Sequence, residues 1–141
     1  MRPTSLRRRP PRDPRARLAG LIMLPRTIDK ARALLPGGDP GEYAITPGVS
    51  AWLLGEIGIS EAEFLVLVHR AADELEVARF VEARTVPEQR EVLNASMKAL
   101  RVADLEDGLR ERFVRLHDAH GDELVIDVLV ADDRGILRSA G

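Results

Sequence analysis

Apolar residues recur three and four positions apart over most of this chain, the spacing of helices that each bury one face. Leu24, Ile28, Ala31 and Leu35 form one such stripe, and Val49, Trp52, Leu53 and Ile57 form the next. Phe64, Leu67, Val68 and Ala71 follow, then Val77 and Val81, then Leu93, Met97 and Leu100, then Leu105, Leu109, Phe113 and Leu116. Polar punctuation agrees with these limits. Ser60 with Glu63 reads as a capping box. Asp73, Thr85 (with Pro87 and Glu88) and Asp104 read as further helix starts, while Pro36-Gly37-Gly38, Gly58 and Gly121 read as stops. Upstream, Asp13-Pro14 reads as an N-cap followed by a first helical position. It would open a short helix carrying Leu18, Leu21 and Ile22, weakened by Gly20, with Pro25 either ending it or starting the next. Residues 36–48, rich in proline and glycine, read as an ordered loop.

The apolar run from Glu123 to Asp133 fits either a buried strand or a short helix. No second β-rich segment exists to pair with a strand, which favours the helix. The expected fold is therefore all-α, a compact bundle of about six or seven short helices. Its expected core is Ile28, Leu35, Trp52, Leu53, Phe64, Leu67, Val81, Leu93, Leu100, Leu109, Phe113 and Leu116. Residues 13–141 form one helical domain in this reading. Residues 1–12, with Arg7, Arg8, Arg9 and Arg12 among few apolar groups, are expected to be a flexible basic arm.

Composition narrows the chemistry. A chain of 141 residues without cysteine is long enough for a self-sufficient core and excludes disulfides and thiolate sites. No apolar run reaches the roughly 20 residues that span a bilayer. The stretch Leu18 to Leu24 is too short for a signal peptide and lacks a cleavage site, so the expected location is cytoplasmic. The net charge of −2 hides an asymmetry: residues 1–32 carry +8 and residues 33–141 carry −10. A basic arm that folds back on its own acidic body explains this better than an arm that binds nucleic acid or an acidic partner. Few aromatics and an acidic body argue against a nucleic-acid domain.

The segment Arg26-Thr27-Ile28-Asp29-Lys30-Ala31-Arg32 holds the densest candidate chemistry. On a helix, Arg26, Asp29 and Lys30 lie opposite the Leu24–Ile28–Ala31–Leu35 stripe. Cations grouped around Asp29, which would pair with Arg26 or Arg32, present a small anion site. Glu42 and Tyr43 on the following loop complete it, with Tyr43 as a hydrogen-bond donor packed on the helix and Glu42 paired with Arg26, Lys30 or Arg32. The competing account is a solvated helix face with weak ion pairs.

Pro11-Arg12-Asp13-Pro14-Arg15, Leu18-Ala19-Gly20, the block Leu24-Pro25-Arg26-Thr27-Ile28-Asp29-Lys30-Ala31-Arg32-Ala33, and Gly41-Glu42-Tyr43 together resemble a family of small bacterial proteins known only as a domain of unknown function. Gly58-Ile59 and Phe64 also fit. The resemblance covers residues 11–65 well and thins beyond residue 85. Family members often carry a Cys-Pro-Leu-Asp-like stretch after Gly-Glu-Tyr; here the region reads Thr46-Pro47-Gly48-Val49, without the acid. The resemblance implies a shared fold and no particular activity.

Other constellations are better explained structurally. His117 and His120 near a helix end complement its dipole more naturally than they hold a metal. Asp132-Asp133-Arg134-Gly135 lacks the alternating ligands of a calcium loop. Gly37–Gly41 lacks the Lys-Ser/Thr of a phosphate loop. No catalytic residue, metal or cofactor is assigned. The expectation is a helical binding or interaction protein without catalysis, with a protein partner or a homodimer in view. The alternative is an enzyme or sensor for an anionic metabolite, using Arg26, Asp29, Lys30, Arg32, Glu42 and Tyr43.

Overall fold

The computed structural model describes the backbone of residues 1–140 and the side chains of residues 1–135. Seven helices follow a small hairpin: α1 (Leu24–Leu34), α2 (Val49–Ile57), α3 (Glu61–Arg70), α4 (Glu74–Arg84), α5 (Pro87–Ala99), α6 (Asp107–His117) and α7 (Val125–Ala140). The segment that fitted strand or helix is the start of α7. Helix α1 lies at the centre, against α2, α3 and the hairpin. Its predicted stripe is buried, with Leu24, Ile28 and Ala31 at 0% exposure. The Ser60–Glu63 capping box opens α3, with Glu63 N donating to Ser60 Oγ at 3.1 Å. Asp73 caps α4 by accepting from the N–H groups of Leu75 and Glu76.

The structure corrects the sequence reading at several places. Residues expected to form a first helix instead form an antiparallel hairpin, β1 (Arg17–Leu18) and β2 (Leu21–Ile22). Ala19 and Gly20 both take positive φ, 54° and 73°, which is what a two-residue hairpin turn requires. Asn94 of α5 fixes the turn: its side chain accepts from Ile22 N and donates to Gly20 O, each at 2.9 Å. Thr85 does not start α5. It closes α4, where its hydroxyl donates to Val81 O. Asp104 belongs to a short 3-10 turn over Val102–Asp104, and α6 starts later. That helix ends at His117 through Asp118, which takes φ 49°, rather than at Gly121.

The first twelve residues are packed rather than free. Leu6 is buried, and Ser5 forms a β-bridge with Asp39. Leu6 N donates to Asp39 O, Asp39 N donates to Thr4 O, and Arg32 Nε donates to Arg2 O. The Met1 amino group reaches carbonyls at the end of α3. One buried leucine and a short ladder of backbone bonds supply the ordering energy that arginine-rich composition had hidden.

Two apolar clusters build the interior. The larger joins the hairpin and α1–α5, and includes Ile126 of α7. The smaller joins Val102, Phe113, Ala119, Val125 and Val128. Val49 and Leu129 pack against both. Two predicted core residues fall outside: Trp52 is 42% exposed and Leu116 is 60% exposed. On α2 the buried face is Ser50, Leu53, Leu54 and Ile57, which turns Trp52 to its edge. Leu67, Leu100 and Leu109 are half-buried.

Candidate ligand cavity

At the seam between the two clusters lies a cavity of about 430 Å³, within the range of small-molecule sites. Helix α1 supplies Arg26 and Lys30, the following loop supplies Glu42 and Tyr43, and α7 supplies Leu129 and Asp132. One face of α6 contributes Leu109, Arg112, Phe113, Leu116 and His117. The mouth is therefore mixed in charge, while Val49, Leu105, Leu109, Leu116 and Leu129 give it apolar walls.

Arg26 is the largest fully buried side chain among the described residues, 1% exposed. Such burial requires a counter-charge, and Asp133 of α7 provides it. Arg26 donates through Nη1 to Asp133 Oδ2 at 2.7 Å and through Nη2 to Oδ1 at 3.1 Å. Nη1 also donates to Arg12 O at 3.3 Å, and Nε has no hydrogen-bond partner. Tyr43 completes the group. Its hydroxyl donates to Asp133 Oδ1 at 2.8 Å, and the Arg26 guanidinium carbon sits 5.5 Å from its ring centre. Burial first, and then the hydrogen bond to Asp133, push the Tyr43 phenol well above its ordinary value. It remains a donor at any physiological pH.

Lys30 stands one turn beyond Arg26. It forms no ion pair among the described residues. Burial pushes its ammonium down to about 7, the Arg26 charge pushes in the same direction, and Asp133 only partly offsets them. Asp133 is already engaged by Arg26 and Tyr43, so it cannot serve Lys30 as a dedicated partner. His117 Nδ1 lies 3.2 Å from Asp132 Oδ1 but out of line for a hydrogen bond, and its ring leans on Phe113 with centroids 4.5 Å apart.

Of the residues singled out from the sequence, Arg26, Lys30, Glu42 and Tyr43 meet at the cavity, and Asp29 and Arg32 do not. Neighbouring helix residues point about 100° apart, so Asp29 turns away where Lys30 turns in. Asp29 accepts from Arg12 N at 2.8 Å and from Arg12 Nε at 3.1 Å, on an open concavity shared with Arg32 and Glu74. The expected pairing of Asp29 with Arg26 or Arg32 is replaced by Arg12. Glu42 is exposed and makes no ion pair among the described residues, so its expected pairing with Arg26, Lys30 or Arg32 is absent. Tyr43 does lie against Arg26, but its hydroxyl serves Asp133.

Sequence reasoning missed Asp133, Asp132 and Arg112. A signal for Asp133 existed. Once residues 125–135 are read as helix, Ile126, Leu129, Val130 and Asp133 share one face. A carboxylate on an apolar face demands a buried cation.

A central helix among the seven helices of the described residues, a hairpin clamped by Asn94 and a cavity with charged lining residues together describe a small helical domain. The sequence profile of the family described as Domain of unknown function (DUF5069) matches residues 8–133, and the chain belongs to that family. No curated protein matches it. No helix among the described residues is long and apolar enough to cross a membrane.

Proposed function

We propose that this protein binds a small organic anion, a carboxylate or phosphate on an apolar body, in the cavity between α1, α6 and α7. The observation that carries the reading is Lys30. A cation facing a cavity, half-buried, beside a second cation and without a carboxylate of its own is electrostatically incomplete. An anionic ligand group completes it. Arg112, which lines the same cavity, adds a guanidinium fork suited to carboxylate or phosphate. The apolar residues of α6 and α7 suit the remainder of the ligand. These groups line one cavity of about 430 Å³, which favours a small ligand over a protein partner.

A thermal-shift screen of organic carboxylates and phosphates tests the reading. A ligand at a hundredfold excess over its dissociation constant stabilises the fold by about 2.7 kcal/mol. The shift should vanish in Lys30→Ala and persist in Asp29→Asn. If no anion raises the melting temperature, or Lys30→Ala leaves the shift intact, the reading fails.

A further inference from the structure

We propose that Lys30 is an amine nucleophile that forms an imine with a ligand carrying a carbonyl next to its carboxylate, a 2-oxo acid or an aldehyde acid. This rests on the anion-site reading above and adds covalent chemistry to it.

Three features of the structure lead there. Lys30 faces the cavity and is not tied up in an ion pair among the described residues, so its nitrogen is available. Arg26, one turn away, places a permanent positive charge beside it. A neighbouring cation and apolar walls are the two devices that keep a lysine amine neutral and nucleophilic. Burial and Arg26 accordingly hold Lys30 at about 7, where a large fraction is free amine at neutral pH. The third feature is residue choice. The chain has 19 arginines and two lysines, Lys30 and Lys98. Arginine supplies charge almost everywhere else, and it cannot act as an amine. The cavity holds one of the two side chains that can.

The step balances without any other reagent. The Lys30 nitrogen lone pair attacks the carbonyl carbon, and the π electrons move to oxygen. One nitrogen proton is lost as the oxygen gains one, giving the carbinolamine. The second nitrogen proton leaves with the hydroxyl as water, and C=N replaces C=O. Arg112 lines the same cavity and supplies a guanidinium for the carboxylate. Asp133 is held by Arg26 and by the Tyr43 hydroxyl, so that carboxylate is already engaged.

The test is reductive trapping. The full-length protein is incubated with glyoxylate or phenylpyruvate and cyanoborohydride, and the adduct is located by peptide mass mapping. The expected result is an adduct on Lys30 and none on Lys98, which is exposed on α5. It should be lost in Lys30→Arg, which keeps the charge, and retained in Lys98→Arg. Circular dichroism of Lys30→Arg checks that the fold survives. Phenyllactate, which has the same shape without the carbonyl, should bind by calorimetry and slow the trapping. Equal labelling of both lysines, or labelling of neither, overturns the proposal. If phenyllactate binds while nothing is trapped, the imine fails and the anion site stands. If phenyllactate does not bind and nothing is trapped, both fail. Trapping at Lys30 that phenyllactate does not slow removes the carboxylate requirement and overturns the proposal as stated.

Discussion

Asp133 grips the guanidinium of Arg26 through both of its oxygens, at 2.7 and 3.1 Å, and so joins the last helix to the first. The pair is nearly dry, with the Arg26 side chain 1% and the Asp133 side chain 11% exposed. A buried pair of this kind adds little net stability when intact, but removing one partner strands the other charge.

Asp133→Ala should therefore cost about 3–5 kcal/mol. Urea unfolding of the purified variant measures it. A loss below about 1 kcal/mol would mean that water reaches Arg26 and replaces the carboxylate.

Tyr43→Phe removes one hydroxyl that donates to that same carboxylate, and should cost about 1–2 kcal/mol. Tyr43→Ala also removes a half-buried ring and the cation–π contact with Arg26, for about 2–3 kcal/mol. Parallel denaturation of both variants checks the order. Equal stability of the two would show that the ring contributes nothing.

Asn94→Ala should loosen the hairpin, because Ile22 N and Gly20 O both lose their side-chain partner. An unsatisfied buried donor costs about 1–3 kcal/mol. Hydrogen exchange at the Ile22 amide should accelerate in the variant, and an unchanged rate would count against the clamp.

Lys30 makes a pH prediction. The unfolded chain keeps this proton up to about 10.4, whereas the folded chain loses it from about 7. Between those values the unfolded state binds more protons, so stability rises with pH across that window. Below about 7 both states are protonated and the full penalty of burying the charge is present. Lys30→Met should remove this rise. Urea midpoints at several pH values from neutral to alkaline, compared between the two proteins, test it; parallel curves would contradict it. Anion affinity should fall over the same rise in pH, since the neutral amine attracts no anion.

Leu6→Ala should cost about 2 kcal/mol and lower the melting temperature by more than about 5 °C. A neutral result would restore the mobile arm that the composition suggests.

Most helices were legible because their signals are local. Leu24, Ile28, Ala31 and Leu35 share a face whatever else the chain does, and Ser60 with Glu63 closes a box four residues long. The hairpin was not legible in the same way. Leu18, Leu21 and Ile22 satisfy a helical stripe as readily as two short strands, and the residue that decides between them, Asn94, lies more than seventy positions away. The site was half legible for the same reason. Arg26, Lys30 and Tyr43 are near neighbours in sequence, whereas Asp133 and Arg112 come from the far end of the chain. Asp29 was misplaced because adjacency in sequence was read as adjacency in space. Arg12, which claims it, lies in the arginine-rich stretch whose composition gives no sign of packing.

The bond between Arg26 and Asp133 also sets an order of events at the ribosome. Its two ends lie 107 residues apart. At about 5–20 residues per second, α1 emerges roughly 5 to 20 s before the carboxylate that permits its burial. Until then Arg26 lacks the carboxylate that partners it in the folded protein, and the cavity lacks Leu129 and Asp132. Arrival of α7 completes both at once, so a protein made only as far as α6 has no finished pocket.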